Sequence, residues 1–148
     1  MTDGKRVTFD MGVYRITSRC IEGAFPPVER IFQDSGVTGK ASFDQADMRG
    51  ALKRSEAAAS DGSQSVKVSL GGSAVDFEVQ GDKVAFTDEI EAECDGSDEV
   101  RFKPRLLLDA VSSMPDGDDS PTFEVQGARG PALFKRDGYV AAVMPMKG

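Results

Sequence analysis

One order of elements, met twice along the chain, constrains the fold more than anything else in the sequence. From Gly39 a short alternating segment runs to Phe43 and Asp44 supplies an N-cap. A helix to about residue 59 then places Met48, Ala51, Leu52, Ser55, Ala58 and Ala59 on one face. Three strand-like segments follow at 65–70, 74–79 and 84–94, divided by the turn signals Gly71-Gly72 and Gly81-Asp82. The order then returns: a strand at 99–102 and a helix at 104–114 with Leu106, Leu107, Ala110, Val111 and Met114 inward. Three more strands lie near 121–126, 131–135 and 138–144. The pattern predicts an α+β fold, two βαβββ units with two helices on one face of a curved, mostly antiparallel sheet. Such a sheet keeps two exposed edges, which invite end-to-end pairing with similar domains.

Ahead of the repeat, residues 6–10 and 13–19 alternate around Met11-Gly12 and read as a β-hairpin. This hairpin and the segment from Leu133 can be aligned on Gly12 and Gly138 as strand, tight turn, strand. The opening hairpin therefore resembles the last hairpin of a preceding domain of the same kind, giving residues 1–27 as hairpin and linker and 28–148 as the domain proper. The connector from Ile21 contains Pro26-Pro27, which blocks regular structure, while Phe25, Ile31 and Phe32 call for burial. An ordered linker pinned to the body is expected.

A chain of 148 residues suits one core, and 39% apolar with 29% charged residues is an ordinary globular balance. No apolar run approaches a membrane span, and the N-terminus carries no signal-peptide pattern, so a cytoplasmic protein without membrane contact is expected. With no His, and with Cys20 and Cys94 far apart, the usual zinc frameworks are excluded and no metal or other cofactor is expected. Catalysis is poorly supported too, since a cysteine nucleophile would lack its usual base and the acidic residues form no motif. The acidic run from Asp116 to Asp119 lacks calcium-loop spacing and reads as a solvated turn. A net charge of −7 argues against a surface that is basic all over but leaves room for a local basic face.

The linker Thr17-Ser-Arg-Cys-Ile-Glu-Gly-Ala-Phe-Pro-Pro-Val-Glu-Arg-Ile, the helical segments Ala51-Leu-Lys-Arg and Phe102-Lys-Pro-Arg-Leu-Leu-Leu-Asp-Ala-Val, and the ending Tyr139-Val-Ala-Ala-Val-Met-Pro-Met-Lys together resemble the β subunit of bacterial DNA polymerase III, the replicative sliding clamp. The match covers nearly the whole chain and corresponds to the third domain with the end of the second. It implies a non-catalytic processivity factor built from head-to-tail rings around duplex DNA. It also implies capture of short peptides from polymerase and clamp loader in an apolar pocket. By this resemblance Pro26, Arg30 and Ile31 of the linker, Pro131, and Val143, Met144, Pro145 and Met146 of the last strand line the pocket. A flexible thioether suits such a site. Arg49, Lys53, Arg54, Lys103 and Arg105 would face DNA phosphates through contacts that are weak and unspecific enough to allow sliding. Core packing for Ile31 and Val143, and an ordinary solvated helix face for the cations, are the other readings.

The chain departs from the family where two other domains would supply the second pocket wall and the ring partner, so a half pocket of weak affinity is expected. Ala57-Ala58-Ala59 stands where clamps commonly carry bulky aliphatic residues at the subunit interface, which argues against a standard stable dimer. Lys147-Gly148 makes a less apolar ending. A solitary clamp-like domain could instead act as a decoy, occupying peptide motifs or a clamp interface without encircling DNA; self-association is the remaining partnership.

Overall fold

The computed structural model describes residues 4–32, 36–60, 64–81 and 85–147. The expected strand start Val84, the turn residue Asp82 and the terminal Gly148 lie outside them. The first βαβββ unit comprises β3 (Gly39–Phe43), α1 (Gln45–Ala59), β4 (Val66–Gly71), β5 (Ala74–Gln80) and β6 (Ala85–Gly96). The second comprises β7 (Asp98–Phe102), α2 (Pro104–Ser112), β8 (Thr122–Val125), β9 (Ala132–Arg136) and β10 (Tyr139–Val143). Asp44 caps α1, its carboxylate accepting from the amides of Ala46 and Asp47 at 2.8 and 3.0 Å. Gly96 ends β6 at a φ of 76°, where a side chain would strike the Thr38 carbonyl, so the step from one unit to the next requires glycine.

Pairing between the units is reciprocal. All ladders are antiparallel, in the order β10-β9-β8-β3-β6-β5-β4-β7. The first strand of each unit pairs with the second strand of the other, β3 with β8 and β7 with β4, so neither unit completes its sheet alone. The ends of the order approach each other, because the Met146 amide donates to the Arg101 carbonyl of β7 at 2.8 Å. That bond requires the sheet to curl. The expected open edges fall on the first half of β6, since only its Ala92–Gly96 half reaches β3, and on β10.

Both helices lie side by side on one face of the sheet, and the core fills the space beneath them. Gln45 of α1 donates to the carbonyls of Val111 and Met114 at the end of α2, at 3.2 and 3.1 Å. Phe43 and Phe102, each the last strand residue before its helix, are linked by rings. Phe43 meets Phe134 edge-on at 6.1 Å, Phe134 stacks on Phe123 at 4.5 Å, and Phe123 meets Phe102 at 6.2 Å. Each contact is worth about 0.5–1.5 kcal/mol beyond its area, so the line of rings fastens the two units together. Buried Ser55 satisfies its hydroxyl on the Ala51 carbonyl at 2.9 Å. In α2 the expected inward Leu106 is 47% exposed, and Leu108 takes the buried place instead. The stripe is Pro104, Leu107, Leu108 and Val111, at helical spacing.

The opening hairpin, β1 (Arg6–Asp10) and β2 (Arg15–Arg19), forms a sheet of its own. Its turn is Gly12-Val13, since the Met11 amide donates to the Tyr14 carbonyl, whereas the turn between β9 and β10 is Asp137-Gly138. The echo is real, but the alignment on the two glycines is one residue out. Geometry matches Phe9 and Ile16 with Phe134 and Ala141, and Val7 and Ser18 with Ala132 and Val143. The linker is not pinned as expected, for Phe25 is 83% exposed and Ile31 and Phe32 are only partly covered. Its one regular feature is the 3-10 turn Val28–Arg30, closed by bonds from Val28 to the Pro26 carbonyl and from Ile31 to that of Val28. Pro26 and Pro27 lack the amides that would tie this stretch to the body.

Candidate functional site

The end of the chain builds a groove. After Val143 the ladder stops, because Pro145 has no amide to donate. The tail then crosses to β7 through Met146. Beneath it lies a concavity of ≈ 580 Å³ lined by Met144 and Pro145, by Ala128 and Arg129 of the loop between β8 and β9, and by Lys147. That volume is enough for a few side chains of a bound segment. Met144 is 57% exposed, while Pro145 and Met146 are half-buried. Val143 points the other way and belongs to the core. Pro131 is half-buried, and Pro26, Arg30 and Ile31 are exposed; none of these four lines the groove. The structure thus brings together part of the expected set and adds Ala128, Arg129 and Lys147. The sequence signal for the loop pair was Gly127 and Gly130 around a short polar turn between strands.

The five expected phosphate-facing cations lie on or at the start of the two helices, in different electrostatic states. Arg54 is turned aside to Asp88 of β6, with both Nε and Nη2 at 2.7 Å from one carboxylate oxygen. Arg105 bridges Asp109 on its own helix at 3.1 Å and Glu56 of α1 at 3.4 Å. Those carboxylates hold its guanidinium more firmly charged than usual, the Asp109 hydrogen bond contributing most. Arg49, Lys53 and Lys103 have no ion-pair partner among the described residues. Lys103 also precedes Pro104 at a helix start that has no side-chain cap, where the helix dipole favours anions.

The opposite face of the sheet has the opposite sign. Asp76, Glu89, Glu91, Glu93 and Asp95 alternate with the inward side chains of β5 and β6 and carry no ion pair among the described residues. Asp76 and Glu89 stand directly across from each other. Elsewhere on this face charges are matched: Glu124 sits between Lys40 at 3.1 Å and Lys135 at 2.7 Å, and Lys67 between Glu78 and Glu99. Cys20 and Cys94 are free thiols. Among the described residues no acidic or sulfur group clusters as a metal site, and no helix is long and apolar enough to cross a membrane.

The fold is the α+β architecture of a sliding-clamp domain. The chain is similar to the β subunit of DNA polymerase III from Thermotoga maritima, with a TM-score of 0.84 and 22% identity over 99% of this chain. The β chain from Streptococcus pneumoniae superposes equally well, at 0.84 and 17% identity over the full chain. A Bartonella birtlesii sliding clamp solved with griselimycin bound gives 0.80 and 23% identity over 97%. The chain spans only 40 to 41% of the length of these proteins. No family sequence profile and no curated protein matches it.

Proposed function

We propose that this chain is the C-terminal part of a DNA sliding clamp. In this reading it is a non-catalytic cytoplasmic tether that captures peptides of polymerase and clamp loader beside its tail and helps encircle duplex DNA. Residues 1–27 then represent the end of a preceding clamp domain and 28–148 the C-terminal one. The observation that carries the reading is the division of charge across the fold. Among the described residues Arg49, Lys53 and Lys103 have no ion pair on the helix side and a row of carboxylates on β5 and β6 has none on the sheet side, an asymmetry that favours a duplex on the helix face. Exposed Met144 with Pro145 and Met146 would form one wall for the peptide, and Pro131, Pro26, Arg30, Ile31 and Val143, which do not line the groove, belong to the proposed set by resemblance alone.

Titration with a polymerase tail peptide, followed by fluorescence anisotropy, tests this directly. Binding that Met144→Ala weakens about threefold to tenfold is expected; no binding at millimolar peptide ends the reading. The alternative reading is a solitary decoy that occupies peptide motifs or a clamp interface without encircling DNA. Adding the chain to a loading assay with a full-length clamp separates the two, since a decoy inhibits loading and a component of its own ring does not.

A further inference from the structure

We infer that the groove beside the tail selects acidic peptides, segments in which a carboxylate side chain stands next to the apolar anchor and is received by Arg129 and Lys147. The inference rests on the peptide-capture reading and adds the class of partner to it. Two kinds of residue line the groove. Met144, Pro145 and Ala128 are apolar, Arg129 and Lys147 are cationic, and none of the lining residues is acidic. A chain with 25 Asp and Glu against 18 Lys and Arg has carboxylates in excess. On the sheet they claim the nearby cations: Lys40 pairs with Glu124 at 3.1 Å, Lys135 with Glu124 at 2.7 Å, and Arg136 with Asp119 at 3.2 Å. Arg129 and Lys147, by contrast, are exposed and have no ion pair among the described residues. On a molecule of net charge −7 the groove is therefore a local site of opposite sign. An uncharged segment would use only its apolar part, and a basic one would be repelled.

Both cations are carried on backbone that is fastened to β7. The Gly127 amide donates to the Asp98 carboxylate at 3.1 Å, and the same oxygen accepts from the Thr38 hydroxyl. Further along β7 the Arg101 carbonyl holds the Met146 amide at 2.8 Å. The loop that bears Arg129 closes tightly, since a side chain at Gly130 would lie 2.7 Å from the Gln126 carbonyl oxygen. Asp98 is thus a positioning residue for one wall of the groove and Arg101 for the other. Little chain ordering remains to be done when a carboxylate arrives. The planar guanidinium of Arg129 offers a two-pronged match to it, and Lys147 a point charge. Exposed ion pairs are individually weak, so these two side chains govern which peptide is preferred, while the apolar residues supply most of the hold.

The test titrates the 148-residue chain with three fluorescein-labelled, end-capped peptides that differ only in the pair of residues ahead of a leucine pair: aspartates, asparagines or lysines. At low salt the aspartate peptide should bind about threefold to tenfold tighter than the asparagine peptide, with the lysine peptide weakest. The gap should close at about 1 M salt, where screening is short-ranged. The double variant R129E/K147E should make the lysine peptide the tightest and leave the asparagine peptide within about twofold of its original affinity. Both side chains are exposed, so the circular dichroism should not change. Equal binding of the three peptides, a preference for aspartate that survives R129E/K147E, or displacement of the aspartate peptide by a short DNA duplex overturns the inference, the last by assigning the two cations to nucleic acid. Met144→Ala separates this failure from that of the reading beneath it. If the three peptides bind equally and Met144→Ala weakens them all, charge selection falls and the groove stands. If none binds at millimolar concentration, peptide capture falls and charge selection falls with it.

Discussion

Arg136 ties the loop from α2 to β8 to the start of α1. One Nη donates to the Gln45 side chain at 2.6 Å and to the Pro115 carbonyl at 2.7 Å, and the other to the Asp119 carbonyl at 2.6 Å. With its side chain only 6% exposed, it fastens the loop from α2 to β8. Arg136→Ala should cost about 3 kcal/mol in urea unfolding, because it leaves polar groups without partners. Nothing in the sequence pointed to this residue, since its acceptors are mostly carbonyls that only the fold brings near. Asp44, by contrast, was legible, because a cap acts on amides two and three residues away. Tyr139 makes a second test. Burial pushes its hydroxyl above the ordinary tyrosine value near 10, so the folded state holds that proton more tightly than the unfolded chain. Its contribution is complete below about pH 10 and falls as pH rises through the folded value. Tyr139→Phe should cost about 1 kcal/mol at neutral pH by loss of the bond to Ala110, and should flatten the alkaline decline in a pH series of melts.

Elements were legible wherever periodicity was clean. The strands of the meander and α1 came through because alternation, glycine turns and an N-cap agree with one another. In α2 three consecutive leucines leave the phase open, and burial of Pro104 at its start rotates Leu106 outward. The hairpin echo slipped by one because glycine stands first in one turn and second in the other. Electrostatics on β5 and β6 yields a further prediction: Asp76 faces Glu89, and like charges opposed across strands repel. Asp76→Lys should stabilise the domain by about 0.5 kcal/mol in thermal or denaturant unfolding, and an unchanged midpoint would remove the argument.

For the whole molecule, the sequence conveyed which cations to propose as phosphate-facing, but not which of them lack an ion pair among the described residues. Arg54 and Arg105 looked equivalent to Arg49 and Lys53 until Asp88, Asp109 and Glu56 took their charge. With the chain assembled on duplex DNA, replacing Arg49, Lys53 and Lys103 by Ala should flatten the dependence of log affinity on log salt by about 0.9 for each phosphate no longer neutralised. Replacing Arg54 and Arg105 should change that slope much less, a contrast a salt titration of DNA retention can read.

The bond from Met146 to the Arg101 carbonyl joins the two ends of the sheet, and it lies two residues before Lys103. In the clamp reading proposed above, a peptide lodged against Met144 would pull on a tail moored to the same short stretch of backbone from which α2 starts. Load on the rim and grip on a helical polyanion would, in that reading, meet at one point of the backbone.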